Sequence, residues 1–67
     1  MKELPDDLAA LGTQDLEQQR AVRDEALAPL FRRWPTLDRV EMLNLRRVYS
    51  ERLRIARYLG RLRRGRA

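Results

Sequence analysis

The chain has 67 residues, no cysteine and no histidine, and a formal net charge of +5 from fifteen basic and ten acidic side chains. A chain this short buries only about 60% of its unfolded surface, which limits it to one small domain over residues 1–67. The missing residue types exclude disulfides, thiolate metal sites and imidazole chemistry, and no apolar run approaches the roughly 18 residues of a membrane span.

Residues 1–12 place Leu4, Leu8 and Leu11 at helical spacing, with Pro5, Asp6 and Asp7 suited to a first helical turn and Gly12 to a stop. This predicts a short helical arm. Its acids stand where a signal peptide would carry bases, so a soluble, cytoplasmic protein is expected. One lysine among the fifteen basic residues suits a GC-rich bacterial genome.

Thr13 is a good N-cap, and Asp15 and Glu17 favour the positive end of a helix running to about Arg33. Leu16, Leu27, Leu30, Phe31 and Trp34 share one face, but Arg20 and Arg23 fall on it too. Pro29 removes a backbone donor inside the helix and predicts a kink or a restart near Ala28. Trp34-Pro35-Thr36 is the clearest break, with Thr36 as the next N-cap. So short a connection predicts antiparallel neighbours.

The second helix is expected to be long and basic. Leu45, Val48, Ile55, Leu59 and Leu62 follow a three-four spacing, with Arg52 on the same seam and Tyr49 beside it. Leu37, Val40, Met42 and Leu53 widen the apolar surface well beyond the stripe that one hairpin partner covers. The fold class is therefore all-α. A short N-terminal turn and two main helices form a hairpin, and the surplus apolar surface predicts a homodimer assembled as a helical bundle. Arg52 suits an ion pair with Glu17 or Asp24, or a role in fixing dimer register. Asp38 and Glu41 suit pairs with Arg20 or Arg23. Gly60 either ends the helix, leaving residues 61–67 as a basic tail, or sits inside it with Gly65 as the stop.

The charge is divided between the halves. Residues 1–31 carry three bases and seven acids, while residues 32–67 carry twelve arginines and three acids. On the second helix Arg39, Arg46, Arg47, Arg54, Arg57, Arg61 and Arg64 fall within roughly 100° of one another, and no acid shares the arc. An ordinary solvated face mixes signs, because each Glu–Arg pair three or four apart contributes about 0.2–0.5 kcal/mol. Arginine's planar fork matches phosphate geometry and stacks on bases. The seven arginines are thus candidate contacts to DNA or RNA. A clamp for an acidic protein, the acidic half of this chain included, is the competing reading, and an anionic membrane surface a third.

Ile55-Ala56-Arg57-Tyr58-Leu59-Gly60 resembles the I-A-x-x-L-G stretch at which many bacterial helix-turn-helix domains end their first motif helix and turn. Only seven residues follow Gly60, too few for a recognition helix, so the stretch reads better as core residues at helical spacing. Phe31 and Trp34 read as core, and Tyr58, at the edge of the arginine arc, as a residue that flanks a bound strand. No nucleophile–base pair, glycine-rich phosphate loop or metal-ligand spacing is present, so neither enzymatic activity nor a cofactor is expected. The functional expectation is a small dimeric nucleic-acid-binding protein, regulatory or architectural, that contacts phosphates through the arginine face. The alternative is a helical adaptor or regulatory subunit docking on a larger acidic protein.

Overall fold

A computed structural model describes residues 1–65, all of whose regular structure is helical. A 3-10 turn, Leu8–Ala10, precedes α1, Thr13–Arg32; a second 3-10 turn, Trp34–Thr36, precedes α2, Arg39–Gly65. The helices run antiparallel, as their bridging pairs show: Glu17 with Arg63, Asp24 with Arg52, and Arg33 with Glu41. The hairpin is elongated. Its radius of gyration of 13.4 Å exceeds the ~11 Å of an average chain of this length.

The N-terminal segment is less helical than its leucine spacing suggests. Pro5 and Asp6 stay outside any helix, and the Asp7 carboxylate caps the 3-10 turn by accepting from the Ala9 amide at 3.0 Å. Gly12, not Thr13, occupies the N-cap of α1, and its carbonyl accepts from the Leu16 amide at 3.0 Å. Pro29 neither ends nor restarts α1, which continues to Arg32. Pro29 and Glu25 are both exposed, so water can solvate the Glu25 carbonyl that the proline leaves without an amide partner.

Thr36 does not cap α2; its hydroxyl donates to the Arg33 carbonyl at 2.9 Å within the corner. The cap is Asp38. Its carboxylate accepts from the Glu41 amide at 2.8 Å, and the Glu41 carboxylate accepts from the Asp38 amide at 3.3 Å. This reciprocal pair is a capping box, with Asp in place of the usual Ser or Thr. Asp38→Ala is expected to lower stability by about 1 kcal/mol in urea titration, and Asp38→Ser by much less.

Gly60 lies inside α2, and residues 61–65 are helical rather than a tail; Arg66 and Ala67 lie outside the described residues. No turn interrupts the Ile55–Gly60 stretch, so the local helix-turn-helix resemblance ends there. Glycine in a helix interior costs about 1 kcal/mol relative to alanine. No close packing within the chain explains that cost, because a Cβ built at Gly60 meets nothing within 4 Å.

The core consists of two apolar clusters. Leu8, Leu16, Ile55 and Leu59 fill the open end, with Leu4, Leu11, Tyr58 and Leu62 packed around them. Leu27, Leu45 and Val48 fill the corner end, with Ala26, Leu30 and Leu37. Between them lies a polar layer centred on Arg23, which is fully buried. Its guanidinium donates to the Glu51 carboxylate at 3.1 Å, to the side-chain and backbone oxygens of Gln19 at 3.0 and 3.1 Å, and to the Lys2 carbonyl at 2.7 Å. Arg23 therefore pairs with Glu51 rather than with Asp38 or Glu41. Phe31 and Trp34, read as core from their spacing, are about half exposed at 47% and 49%.

Candidate functional site

α2 presents two opposed faces. Leu45, Val48, Ile55 and Leu59, all buried, point toward α1. At about 100° per residue the centre of the arginine arc lies roughly opposite them, and Arg39, Arg46, Arg47, Arg54, Arg57, Arg61 and Arg64 are all exposed. Hairpin packing alone sets this outward orientation. At about 1.5 Å per residue, Arg39 to Arg64 spans about 38 Å along one rigid element.

The arginines on and off the stripe have different surroundings. Off it, Arg33 meets Glu41 at 2.7 Å, Arg52 meets Asp24 at 2.8 Å, Arg63 meets Glu17 at 3.5 Å, and Arg23 meets Glu51. On it, only Arg47 approaches an acid, Glu51 at 3.8 Å, while donating to Asn44 at 2.8 Å. Arg54 donates to the backbone carbonyls of Pro5, at 2.6 Å, and Asp6. Arg39, Arg46, Arg57, Arg61 and Arg64 make no hydrogen bond or ion pair among the described residues. Acids of both helices, Glu17 and Asp24 on α1 and Glu41 and Glu51 on α2, therefore pair with the arginines off the stripe and leave most of the stripe open.

Of the seam positions read from the sequence, Leu45, Val48, Ile55 and Leu59 are buried, Arg52 and Leu62 half-buried, and Tyr49 45% exposed. Arg52 takes the Asp24 partner its spacing allowed. Tyr58 is half-buried against the open-end cluster. Spacing did not single out the Arg54 contact with the arm or the Glu51 contact with Arg23. Arg54 carries no acid four residues away, and its partners are backbone oxygens that any sequence would supply.

Two apolar side chains interrupt the basic face near the start of α2. Val40 is 75% exposed and Leu43, which lies within the arginine arc, 55%. Among the described residues no group of three or more acids is arranged to hold a metal ion, and no helix is long and apolar enough to cross a membrane. Compared with protein-family models, curated proteins and solved structures, the chain matches none.

Proposed function

We propose that the protein is a small dimeric nucleic-acid-binding protein that holds phosphates with the outer face of α2. The observation that carries this reading is the contrast in pairing. The seam arginines Arg33, Arg52 and Arg63 each have a carboxylate within 3.5 Å, whereas five stripe arginines have none. Desolvation does not explain exposed, same-signed arginines placed side by side, and a phosphate backbone supplies the missing negative charge at repeating intervals. A stripe of about 38 Å matches the length of one turn of duplex DNA. The arginine arc has neither asparagine nor glutamine, and Asn44, outside it, is engaged with Arg47. Contacts therefore go to backbone rather than to adenine, and sequence preference is weak.

The test is a fluorescence-anisotropy titration against duplex DNA, single-stranded DNA and structured RNA at two salt concentrations. Micromolar or tighter binding that weakens steeply with salt is expected, and the three polymers rank the preference. Absence of binding at low salt would overturn the proposal. The second reading, a helical adaptor on an acidic protein, is favoured by Val40 and Leu43, whose exposed apolar surface a phosphate backbone would leave uncovered. A pull-down with immobilised protein and its Leu43→Ser variant separates the two: loss of a captured acidic protein, with nucleic-acid affinity unchanged, supports the adaptor.

A further inference from the structure

The two flanks of the hairpin differ. The arm crosses one, where Leu4, Leu8 and Leu11 pack on the open-end cluster and the Lys2, Pro5 and Asp6 carbonyls accept from Arg23 and Arg54. Among the described residues, no segment crosses the other. There Phe31 and Tyr49 meet edge to face at 6.2 Å, both about half exposed, beside half-buried Met42, Leu53, Ala56 and Gly60.

The α2 residues on this flank are spaced as a second seam. Positions 42, 46, 49, 53, 56 and 60 alternate steps of four and three, the spacing at which one helix packs along another. The series is self-complementary when reversed. In an antiparallel pairing of α2 with a second α2, Met42 lies opposite Gly60, Arg46 opposite Ala56, and Tyr49 opposite Leu53. Each large side chain meets a smaller one, and Gly60, whose absent side chain no neighbour within the chain requires, gains one.

Charge and area fit the same occupant. The ions along the flank are already paired, Arg52 with Asp24, and Arg20 and Arg63 with Glu17. Arg46, the one charged residue of the seam, is exposed and unpaired. In the antiparallel register each Arg46 faces Ala56 of the other copy, so the two arginines lie about 15 Å apart along the seam and like charges are not brought together. The seam is about 27 Å long and the hairpin about two helix diameters wide, roughly 540 Å² in projection. Accessible area exceeds projected area, which brings the flank near the ~800 Å² per partner of a standard interface.

We infer that a second copy of the chain docks on this flank, α2 against α2 and antiparallel, giving a four-helix bundle. The interface specifies the dimer proposed above and does not depend on what the stripe binds. The two-fold axis of such a pair runs perpendicular to both helices, so it carries the stripe of one copy to the same side as the stripe of the other. The dimer thus presents two parallel-lying rows of arginine on one face.

The absence of native cysteine makes cross-linking decisive. In one chain residues 42 and 60 are about 27 Å apart on a helix, far beyond the ~7 Å limit for a disulfide. A Met42→Cys, Gly60→Cys double variant can therefore close disulfides only between copies. Oxidised without nucleic acid, it is expected to give a covalent dimer on a non-reducing gel, with at least tenfold less from either single variant. The unmodified chain is expected to show dimer mass by sedimentation at tens of micromolar in moderate salt. Gly60→Trp, at a position where an added Cβ meets nothing within 4 Å, is expected to weaken the dimer at least tenfold with helicity unchanged. Monomer mass for the unmodified chain would overturn the inference. So would efficient cross-linking of Met42→Cys alone, which signals parallel pairing, or a dimer in which the double variant does not cross-link. Because nucleic acid is absent throughout, failure here is distinct from failure of the anisotropy titration.

Discussion

Arg23→Ala is expected to unfold most of the protein at room temperature. Removing this guanidinium takes donors from a buried Gln19 side chain, from the Glu51 carboxylate and from the Lys2 carbonyl at once. Breaking a buried charge pair from one side costs about 3–5 kcal/mol. A core of this size supplies roughly 3–5 kcal/mol in total. The two quantities are equal in scale, so loss of most far-ultraviolet helicity is the expected reading, and a thermal midpoint lowered by less than about 5 °C would show that the layer is dispensable. A triple variant, Gln19→Leu, Arg23→Met and Glu51→Leu, removes both sides of the network and is expected to fold with similar or greater stability. What it should lose is register. The two apolar clusters above and below Arg23 are each leucine-rich and alike in size, so a slip of one turn keeps most apolar contacts while breaking the Arg23 bonds. Broadened methyl resonances in the triple variant would report that slippage.

Charge reversal at Arg57 and Arg61 is expected to weaken nucleic-acid binding by about a hundredfold without changing helicity. Both are exposed and neither makes a hydrogen bond or ion pair among the described residues, so the fold depends little on them. Arg54 is a poorer choice, because its reversal would also free the arm. The salt dependence carries more information than the affinity. Five unengaged stripe arginines per chain predict a log–log slope near −4.5 on duplex DNA, and about −9 if both rows of a dimer are engaged. In the Arg57→Glu, Arg61→Glu variant the slope should fall in magnitude by about two per engaged row. An unchanged slope would move the phosphate contacts elsewhere.

Much of the fold was legible in the chain because it rests on local rules. The Trp34-Pro35-Thr36 break, the long second helix and its inner seam follow from proline geometry and apolar spacing. The caps were legible in kind but not in place. Thr13 and Thr36 each lost to a neighbour, Gly12 and Asp38, and in the second case the reciprocal Asp38–Glu41 pair satisfies two amides where a threonine satisfies one. Arg23 marks where local rules stop. Its position on the apolar face was visible, but choosing Glu51 over Asp38 or Glu41 requires the hairpin register, which depends on how many residues the corner consumes. Phe31 and Trp34 show the same limit from the other side: Phe31 lies at the edge of the helix pair against half-exposed Tyr49, and Trp34 belongs to the corner turn rather than to α1. The stripe itself needed no register, being a property of one helix, and all seven arginines are exposed.

Arg54 belongs to two systems. Its guanidinium stands in the arginine row and at the same time fastens the first residues of the chain by the carbonyls of Pro5 and Asp6. A donor given to a phosphate is a donor withdrawn from the arm, so occupancy of the face and docking of the arm are thermodynamically opposed. Polyanion binding should therefore speed amide exchange at Leu8 and Ala9 while leaving the Leu45–Val48 end protected. The anion would be read as a loosening of the hairpin's own N-terminal cover.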